Sequence, residues 1–591
     1  MIKKKLRSQQ WFNNPKDPAM TALYLERYLN YGLTRKELQS GSPIIGIAQS
    51  GSDLSPCNRH FQQLSSRIKE GIVKAGGIPM EFPTHPIQET GKRPTAALDR
   101  NLSYLSLVEV LYGYPIDGVV LTTGCDKTTP AALMAAATVN IPAIVLSGGP
   151  MLDGYHEGKL VGSGSVVWDA RKLLGKGEIN YDQFMDMVAS SAPSIGHCNT
   201  MGTASSMNSV AEALGMSLTG CAVIPAPYRE RGQISYATGK RIVEMVFEDL
   251  TPSKIMTKKA FENAIVVASA IGASSNCPPH LSAIAKHMGV KINLDAWQKL
   301  GHDIPLLVNC KPAGEHLMER FYRAGGIPAV MQELVKQKKL HVSAMTVSGK
   351  TLGENLKIKI KVDTDVIKSF DDPVVENAGF IVMRSNFFNS AVMKTSVISE
   401  EFRERYLSNP DHPNAFEAKA VVFEGPEDYH HRINSNKLKI DEHSILIIRG
   451  CGPVGYPGSA EVVNMQPPDH LLKQGINALP TLGDGRQSGT SESPSILNVS
   501  PESAIGGDLA IVKTGDKIKI DLNKSRVDLM ISSVEFKKRR KQKKIPKFEN
   551  QTPWQEIARD TVGQLEDGAC INLRGIYLNI TKKKGLPRNS H

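Results

Sequence analysis

The chain has 591 residues, 41% of them hydrophobic and 22% charged, which excludes a disordered chain or a single small core and points to two large globular domains. A net charge of +12 suggests a polyanion binder, yet three acid-free stretches carry it: Lys3, Lys4, Lys5 and Arg7; Lys537, Lys538, Arg539, Arg540, Lys541, Lys543 and Lys544; Lys582, Lys583, Lys584 and Arg588. These hold fifteen charges, so the rest of the chain carries −3, and the run at 537–544 reads as a solvated basic loop, with nucleic-acid binding as the rival reading.

In chain order, the start MIKKKLRSQQWF is basic but has no apolar core of a signal peptide. Pro43 to Ser50 is a short apolar run followed by a Gly/Ser/Asp/Pro loop, and His60 to Ala75 has helical spacing that stops at Gly76-Gly77. Ile116 to Leu121 is a second strand, ended by TTGCDKTTP; Pro130 opens an Ala/Met-rich helix, and Ile141 to Leu146 is the next strand. Strand, helix and strand at this spacing make a βαβ unit in a parallel sheet, where ligands bind in the loops after the strands. The longest apolar candidate for a membrane span, Ala131 to Gly148, is broken by Thr138, Asn140 and Pro142, so no membrane segment is expected. From about Val374 the texture changes to short β-rich segments, GFIVMRS, KAVVFEG, SILIIRG and DKIKIDL, separated by Gly/Asp/Asn turns. The expected fold is therefore α/β: an N-terminal parallel-sheet domain over 1–373 and a β-rich, barrel-like domain over 374–591, with a helical tail from TPWQEIARD. Neither an internal repeat nor a low-complexity segment interrupts this plan.

Eight scattered cysteines do not form a secreted disulfide framework; a reducing, cytoplasmic compartment is expected, where cysteines serve as metal ligands or reactive thiols. Three of them stand in loops: Cys57 in SDLSPCNRH, Cys125 in TTGCDKTTP and Cys198 in GHCNTMGTASSMN, each read as following a strand and preceding a helix whose N-terminus stabilises a thiolate. Their spacings of 68 and 73 residues offer no local C-x-x-C support for a cluster, so scattered packing cysteines are the alternative. Cys221, Cys277, Cys310, Cys451 and Cys570 read as packing residues. Oxygen ligands occupy similar loops: Glu89 in HPIQETGKRPT, Asp126 and Lys127 directly after Cys125, and Glu461 at the end of GCGPVGYPGSAE. Carboxylates converging at strand ends suit Mg²⁺, a hard cation, although each alone could be a surface carboxylate. Ser488 sits in GDGRQSGTSES, whose glycines allow close backbone approach but which lacks the Lys-Ser/Thr ending of a P-loop; GCGPVGYPG likewise leads into proline, not into a nucleotide-binding helix.

Together SDLSPCNRH, TTGCDKTTPAALMAAATVNIPAIVLSGGPM, GHCNTMGTASSMNSVAEALGM, GPVGYPGSAE and DGRQSGTS…VSPE resemble the IlvD/Edd dehydratase family, in family order across residues 40–510. The resemblance implies a hydro-lyase in which Cys57, Cys125 and Cys198 ligate an Fe–S cluster; Glu89, Asp126 and Glu461 ligate Mg²⁺, joined by Lys127, a position that can be carbamylated in the family; and Ser488 is the general base. A cysteine at position 57 resembles the [2Fe–2S] group of the family, with [4Fe–4S] as the alternative. The family is commonly dimeric or tetrameric, so a homodimer or homotetramer is expected.

Glu89 within HPIQETGKRPTAALDRN, and the stretch WFNNPKDPAMTALYLERYLNYGLT, resemble the sugar-acid members, which implies dehydration of an aldonate such as L-arabinonate or D-xylonate to the 2-keto-3-deoxy acid; the branched-chain dihydroxy acid is the alternative substrate. Departures from the common pattern fall at Cys277, Pro279, Gln487, Glu492 to Pro494 and SNFFNSAVMK, and Ser491 to Ser493 are expected to border the substrate pocket. Three rival classes are an electron-transfer Fe–S protein, which would need a fourth protein ligand; a nucleic-acid-binding protein using Lys537–Lys544; and a dead enzyme kept as a structural subunit.

Overall fold

The computed structural model describes residues 6–573, 575 and 577–589; Lys3, Lys4 and Lys5 of the first basic stretch lie outside the described residues. The apolar runs of the first half form four parallel strands: β1 (Ile44–Gln49), β2 (Ile78–Pro83), β3 (Gly118–Thr123) and β4 (Ala143–Ser147), ordered β2-β1-β3-β4. Helices cover the sheet, so β1, β3 and β4 are buried along their whole length, which is why they read as continuous apolar runs and not as alternation. Every residue of helix Thr128–Val139 is buried; its alanines let it pack closely between the sheet and helices Ala96–Gly113 and Cys277–Met288. A small hairpin, β5 (Gly154–His156) with β6 (Lys159–Val161), follows the sheet, and the rest of this half is helical.

The second half is a closed eight-stranded barrel: β7 (Phe380–Ser385), β8 (Ser390–Lys394), β9 (Ala415–Glu424), β10 (Ser444–Arg449), β11 (Thr481–Gly483), β12 (Ser495–Ser500), β13 (Lys517–Asp521) and β14 (Arg526–Leu529), in the order β10-β11-β12-β8-β7-β14-β13-β9. Two-residue alternation on β7 and β8 divides their side chains between two cores. Ile381, Met383, Ala391 and Met393 fill the barrel, while Phe380, Val382 and Val392 join the core of the first half. Each fully buried side chain of this size contributes about 1.5–3 kcal/mol, so the shared strands hold the two halves in fixed register. Helix Pro553–Thr561 and the residues after it return to the first half: Trp554 Nε1 donates to Leu98 O at 3.1 Å, and Arg100 donates to the carbonyls of Gly568 and Ala569, each at 2.7 Å.

The α/β class, the parallel sheet and the barrel agree with expectation. The basic run does not form a loop. Residues 537–542 lie on helix Ser533–Gln542, capped by Ser532, whose side chain accepts from Glu535 N. Lys, Arg and Gln are good helix formers, and that propensity prevails over charge repulsion because part of the charge is neutralised: Arg539 pairs with Asp516 and Glu535, and Lys543 with Asp508 at 2.8 Å. Among the described residues no helix is long and apolar enough to cross a membrane.

The first core holds a pH-sensitive contact. His287, 1% exposed, engages Ala283 O through Nδ1 at 2.8 Å and meets the ring of Tyr104 edge-on at 4.5 Å. Burial lowers its pKa to about 4. An unfolded histidine titrates near 6.5, so above that pH both states are neutral and this ring adds no pH dependence. Below it the unfolded chain binds a proton that the native ring refuses until about pH 4. Stability is therefore lost across that window as pH falls, by up to about 1.4 kcal/mol per unit. His287→Phe removes the titration, so the melting temperature of the variant should gain on that of the parent between pH 6.5 and 4 and run parallel to it above pH 7; parallel curves throughout would show that the ring does not stay neutral because it is folded.

Candidate active site

All the candidate residues but Cys198 come from loops at the carboxyl ends of strands, in both halves of the chain. Cys125, Asp126 and Lys127 follow β3, where the chain turns into helix Thr128–Val139; Asn58 Oδ1 accepts from Cys125 N at 2.8 Å and Thr128 Oγ1 donates to Cys125 O at 2.6 Å, which fixes the turn. Cys57 sits on the single turn Pro56–Asn58 after β1. Cys198 does precede helix Thr203–Ala213, but it does not follow a strand: helix Tyr181–Ser190 comes before it, and a single bridge between Pro150 and His197 ties the segment to the loop after β4. A one-residue bridge leaves no periodicity, so the pattern of strand, loop and helix could not be distinguished there.

Glu461 is carried by the loop after β10. Two buried carboxylates from elsewhere hold that loop: Asp484 accepts from Cys451 N at 2.9 Å and Ser503 Oγ at 2.6 Å, and Glu502, in the VSPE motif, accepts from Gly455 N at 2.8 Å. Gly458 has φ +89°, and a Cβ there would lie 2.2 Å from Leu98 N, so only glycine lets the loop close against the first half. Ser488 is carried by the loop between β11 and β12. A Cβ at Gly489 would lie 2.5 Å from Thr203 N, so a side chain there would push Ser488 off the start of helix Thr203–Ala213. Gln487 Nε2 donates to Ser493 O at 3.1 Å and holds the far end of the same loop.

Glu89, Asp126 and Glu461 meet although 335 residues separate the last two: one carboxylate oxygen from each lies within 4.8 Å of the others. Lys127 Nζ, fully buried, stands at 2.9 Å from Glu89, 2.7 Å from Asp126 and 3.9 Å from Glu461. Arg486, unmarked in the sequence, is the second cation, at 3.2 Å from Glu89 and 2.8 Å from Glu461. Asn276 Nδ2 donates to Glu461 Oε1 at 2.7 Å, and Thr95 Oγ1 donates to Glu89 Oε1 at 2.9 Å. Three carboxylates face two cations, so the last negative charge is the costly one. Burial raises the pKa of Glu89, but Lys127 and Arg486 outweigh it and bring the group to about 2; burial and the neighbouring Glu89 charge push Glu461 up to about 7. A divalent cation, bound by hard oxygens, fits this set of donors and supplies the missing charge.

The thiols adjoin the carboxylates. Cys125 Sγ contacts Asp126 Oδ1 at 3.5 Å. A hydrogen bond shared between Cys57 and Cys125 lowers the first thiol and raises the second, and burial pushes Cys198 up to about 12. Gln88 Nε2 and Ser163 Oγ point at the sulfurs of Cys57 and Cys198, at 3.2 and 3.4 Å. One buried and two half-buried thiols, two of them facing side-chain donors, suit soft metal ligation, which would offset the cost of ionising them here. The other five cysteines are buried and free.

Ser488 Oγ lies 3.0 Å from Thr490 Oγ1 and 3.4 Å from Thr490 N. Trp168 Nε1 donates to Thr490 Oγ1 at 3.0 Å. Indole N–H can only donate, so the threonine hydroxyl keeps its own proton available for Ser488. Two donors can thus converge on Ser488 Oγ, an arrangement that would favour its ionised form. Neither Trp168 nor Thr490 carried a sequence signal that could have linked them, being 322 residues apart. Ser491, Glu492 and Ser493 line a cavity beside this group.

The dihydroxy-acid/6-phosphogluconate dehydratase N-terminal family matches residues 42–355, and the corresponding C-terminal family matches residues 365–569. The chain is 61% identical over 589 residues to a D-xylonate dehydratase of Caulobacter vibrioides, covering 100% of this chain and 98% of that one. It is 43% identical over 537 residues to an L-arabinonate dehydratase of Rhizobium leguminosarum bv. trifolii (91% and 90% covered). A dihydroxy-acid dehydratase of Acetivibrio thermocellus is 37% identical over 523 residues (87% and 91% covered).

Proposed function

The chain belongs to the dihydroxy-acid/6-phosphogluconate dehydratase family, in its sugar-acid branch, and from that premise we propose that this hydro-lyase removes water from a five-carbon aldonic acid, D-xylonate or L-arabinonate, to give the 2-keto-3-deoxy acid. The observation that carries the reading is the meeting of Glu89, Asp126 and Glu461 at one point, with Cys125 in contact with Asp126. The fall in identity from 61% and 43% for the sugar-acid enzymes to 37% for a branched-chain one favours the sugar acid over the dihydroxy-acid alternative.

In this reading Glu89, Asp126 and Glu461 hold Mg²⁺, with Lys127 as a further ligand in carbamylated form, and Cys57, Cys125 and Cys198 hold a [2Fe–2S] cluster. When bound, the metal ion supplies positive charge at the substrate carboxylate and C2 hydroxyl, and the cluster supplies a Lewis acid for the C3 hydroxyl. The chain's own residues do the rest. Ser488 Oγ takes the C2 proton, supported by the Thr490 hydroxyl and N–H. The C–H electron pair becomes the C2–C3 double bond as the C3–O bond breaks, and the departing hydroxide takes the proton from Ser488 Oγ, leaving as water and returning the serine to its alkoxide. The enol product then tautomerises to the keto acid. Arg486 helps keep Glu89 ionised and holds Glu461 in place. Lys127 as an ammonium cannot ligate a cation, which is why carbamylation, converting Nζ into an anionic oxygen donor, belongs to the proposal.

A substrate panel on freshly purified holoenzyme tests it: D-xylonate, L-arabinonate, D-gluconate and 2,3-dihydroxyisovalerate, read as 2-keto-acid formation. A pentonate turned over at least tenfold faster than the branched acid is the expected result; the reverse order would make this a branched-chain enzyme.

A further inference from the structure

We propose that the cavity beside Ser488 is the subsite for the part of the acid beyond C3, and that Lys172 and Glu492 on its wall select a hydroxylated tail over an alkyl one. This rests on the dehydratase reading above and goes on to name the residues that choose the substrate.

The cavity has a volume of about 420 Å³. It reaches the reacting end through two residues of its wall. Asn464 Oδ1 accepts from Ser488 N at 3.4 Å, and Trp168 holds Thr490, the hydrogen-bond partner of Ser488. An acid with its C2 proton at Ser488 Oγ and its carboxylate toward Glu89, Asp126 and Glu461 therefore has this space open to C4 and C5. One wall is apolar, with Val397, Ile398 and Met465, and suits the C–H faces of a sugar chain. The other carries charge: Lys172 Nζ is 3.8 Å from Glu492 Oε2 and 3.9 Å from Asp169 Oδ1, too far for hydrogen bonds. Among the described residues neither the Lys172 ammonium nor the Glu492 carboxylate has a hydrogen-bond partner, although their side chains are only 27% and 38% exposed. A donor and an acceptor so placed, with the spare Asn464 amide, match hydroxyls, each of which both donates and accepts. An alkyl tail in the same space would strip water from both charges and return nothing, and sites built this way reject the analogue that lacks the hydroxyl far more strongly than they distinguish one methyl group from another.

The double variant Lys172→Met, Glu492→Met keeps the approximate shape of the wall and removes both charges together with their hydrogen-bonding groups. The substrates to compare are D-xylonate and its 5-deoxy analogue, which differ in one tail hydroxyl. The unaltered enzyme should favour D-xylonate by tenfold or more in kcat/KM. In the variant that ratio should fall to within about threefold, mainly through a higher KM for D-xylonate, with melting temperature and visible spectrum unchanged. An unchanged ratio, or an equal loss on both acids, would show that the pair does not read the tail and would overturn the proposal while leaving the dehydratase reading intact. An unaltered enzyme that dehydrates only 2,3-dihydroxyisovalerate, or no acid at all, would instead overturn the reading on which the subsite rests.

Discussion

Ser488→Ala should lower kcat by 10²–10⁴-fold, the range that a positioned general base contributes, with KM for the aldonate changed little and the metal content and visible spectrum as in the parent. Removing the hydroxyl takes away the proposed proton acceptor and little else. Ser488 donates through its backbone N–H to Asn464, a contact the alanine retains, and Gly489 still packs on Thr203. Thr490 loses one neighbour but keeps the indole N–H of Trp168. None of the carboxylates or thiols touches Ser488 Oγ, whose partners are Thr490 Oγ1 and N. A loss confined to kcat therefore isolates proton transfer from metal binding. Near-parental turnover would remove Ser488 from the base role, and a bleached spectrum would mean that the loop supports the cluster.

Much of the first half was legible because its signals are local. The runs at Pro43–Ser50 and Ile141–Leu146 became β1 (Ile44–Gln49) and β4 (Ala143–Ser147), since strands buried on both faces of a covered sheet must be apolar throughout. Barrel closure was not legible in the same way. β9 pairs with β10 on one side and with β13, about a hundred residues on, at the other, and no period within one strand records such a partner. The basic run was misread because a block of like charge suggests a solvated loop, whereas the acids that neutralise it, Asp508 and Asp516, lie twenty to forty residues away and become visible only on folding. At the site, loop chemistry singled out Glu89, Asp126, Lys127, Glu461 and Ser488, but Arg486, Asn276, Thr490 and Trp168 were silent. They act through what they touch: Arg486 through two carboxylates, Asn276 through one, and Trp168 through a threonine hydroxyl. A residue whose role is to hold another has no chemical signature of its own until the contact exists.

Cys125→Ser should lose iron, visible absorption and turnover together, the last to background, while Cys221→Ser keeps all three. Both cysteines are buried, at 3% and 0% exposure, and both substitutions replace sulfur with a smaller, more polar atom in an enclosed place, so the cost of a buried hydroxyl is common to the pair. Their surroundings differ. Cys125 shares a hydrogen bond with Cys57, contacts Asp126 and stands at the turn into helix Thr128–Val139. Cys221 faces Arg231, whose guanidinium is also held by the carbonyls of Ser147 and Ile224. A serine at 125 would present an alcohol that ionises far less readily than a thiol and binds iron as a hard, poorly matched donor, leaving two of the three proposed ligands. Far-UV circular dichroism should show both variants folded, which separates loss of a ligand from loss of the protein. If Cys125→Ser retained its iron, the cluster would have to be held elsewhere. If Cys221→Ser lost iron equally, packing of this core and not ligation by Cys125 would govern cluster retention, and the pairing of thiols with carboxylates after β3 would lose its chemical meaning.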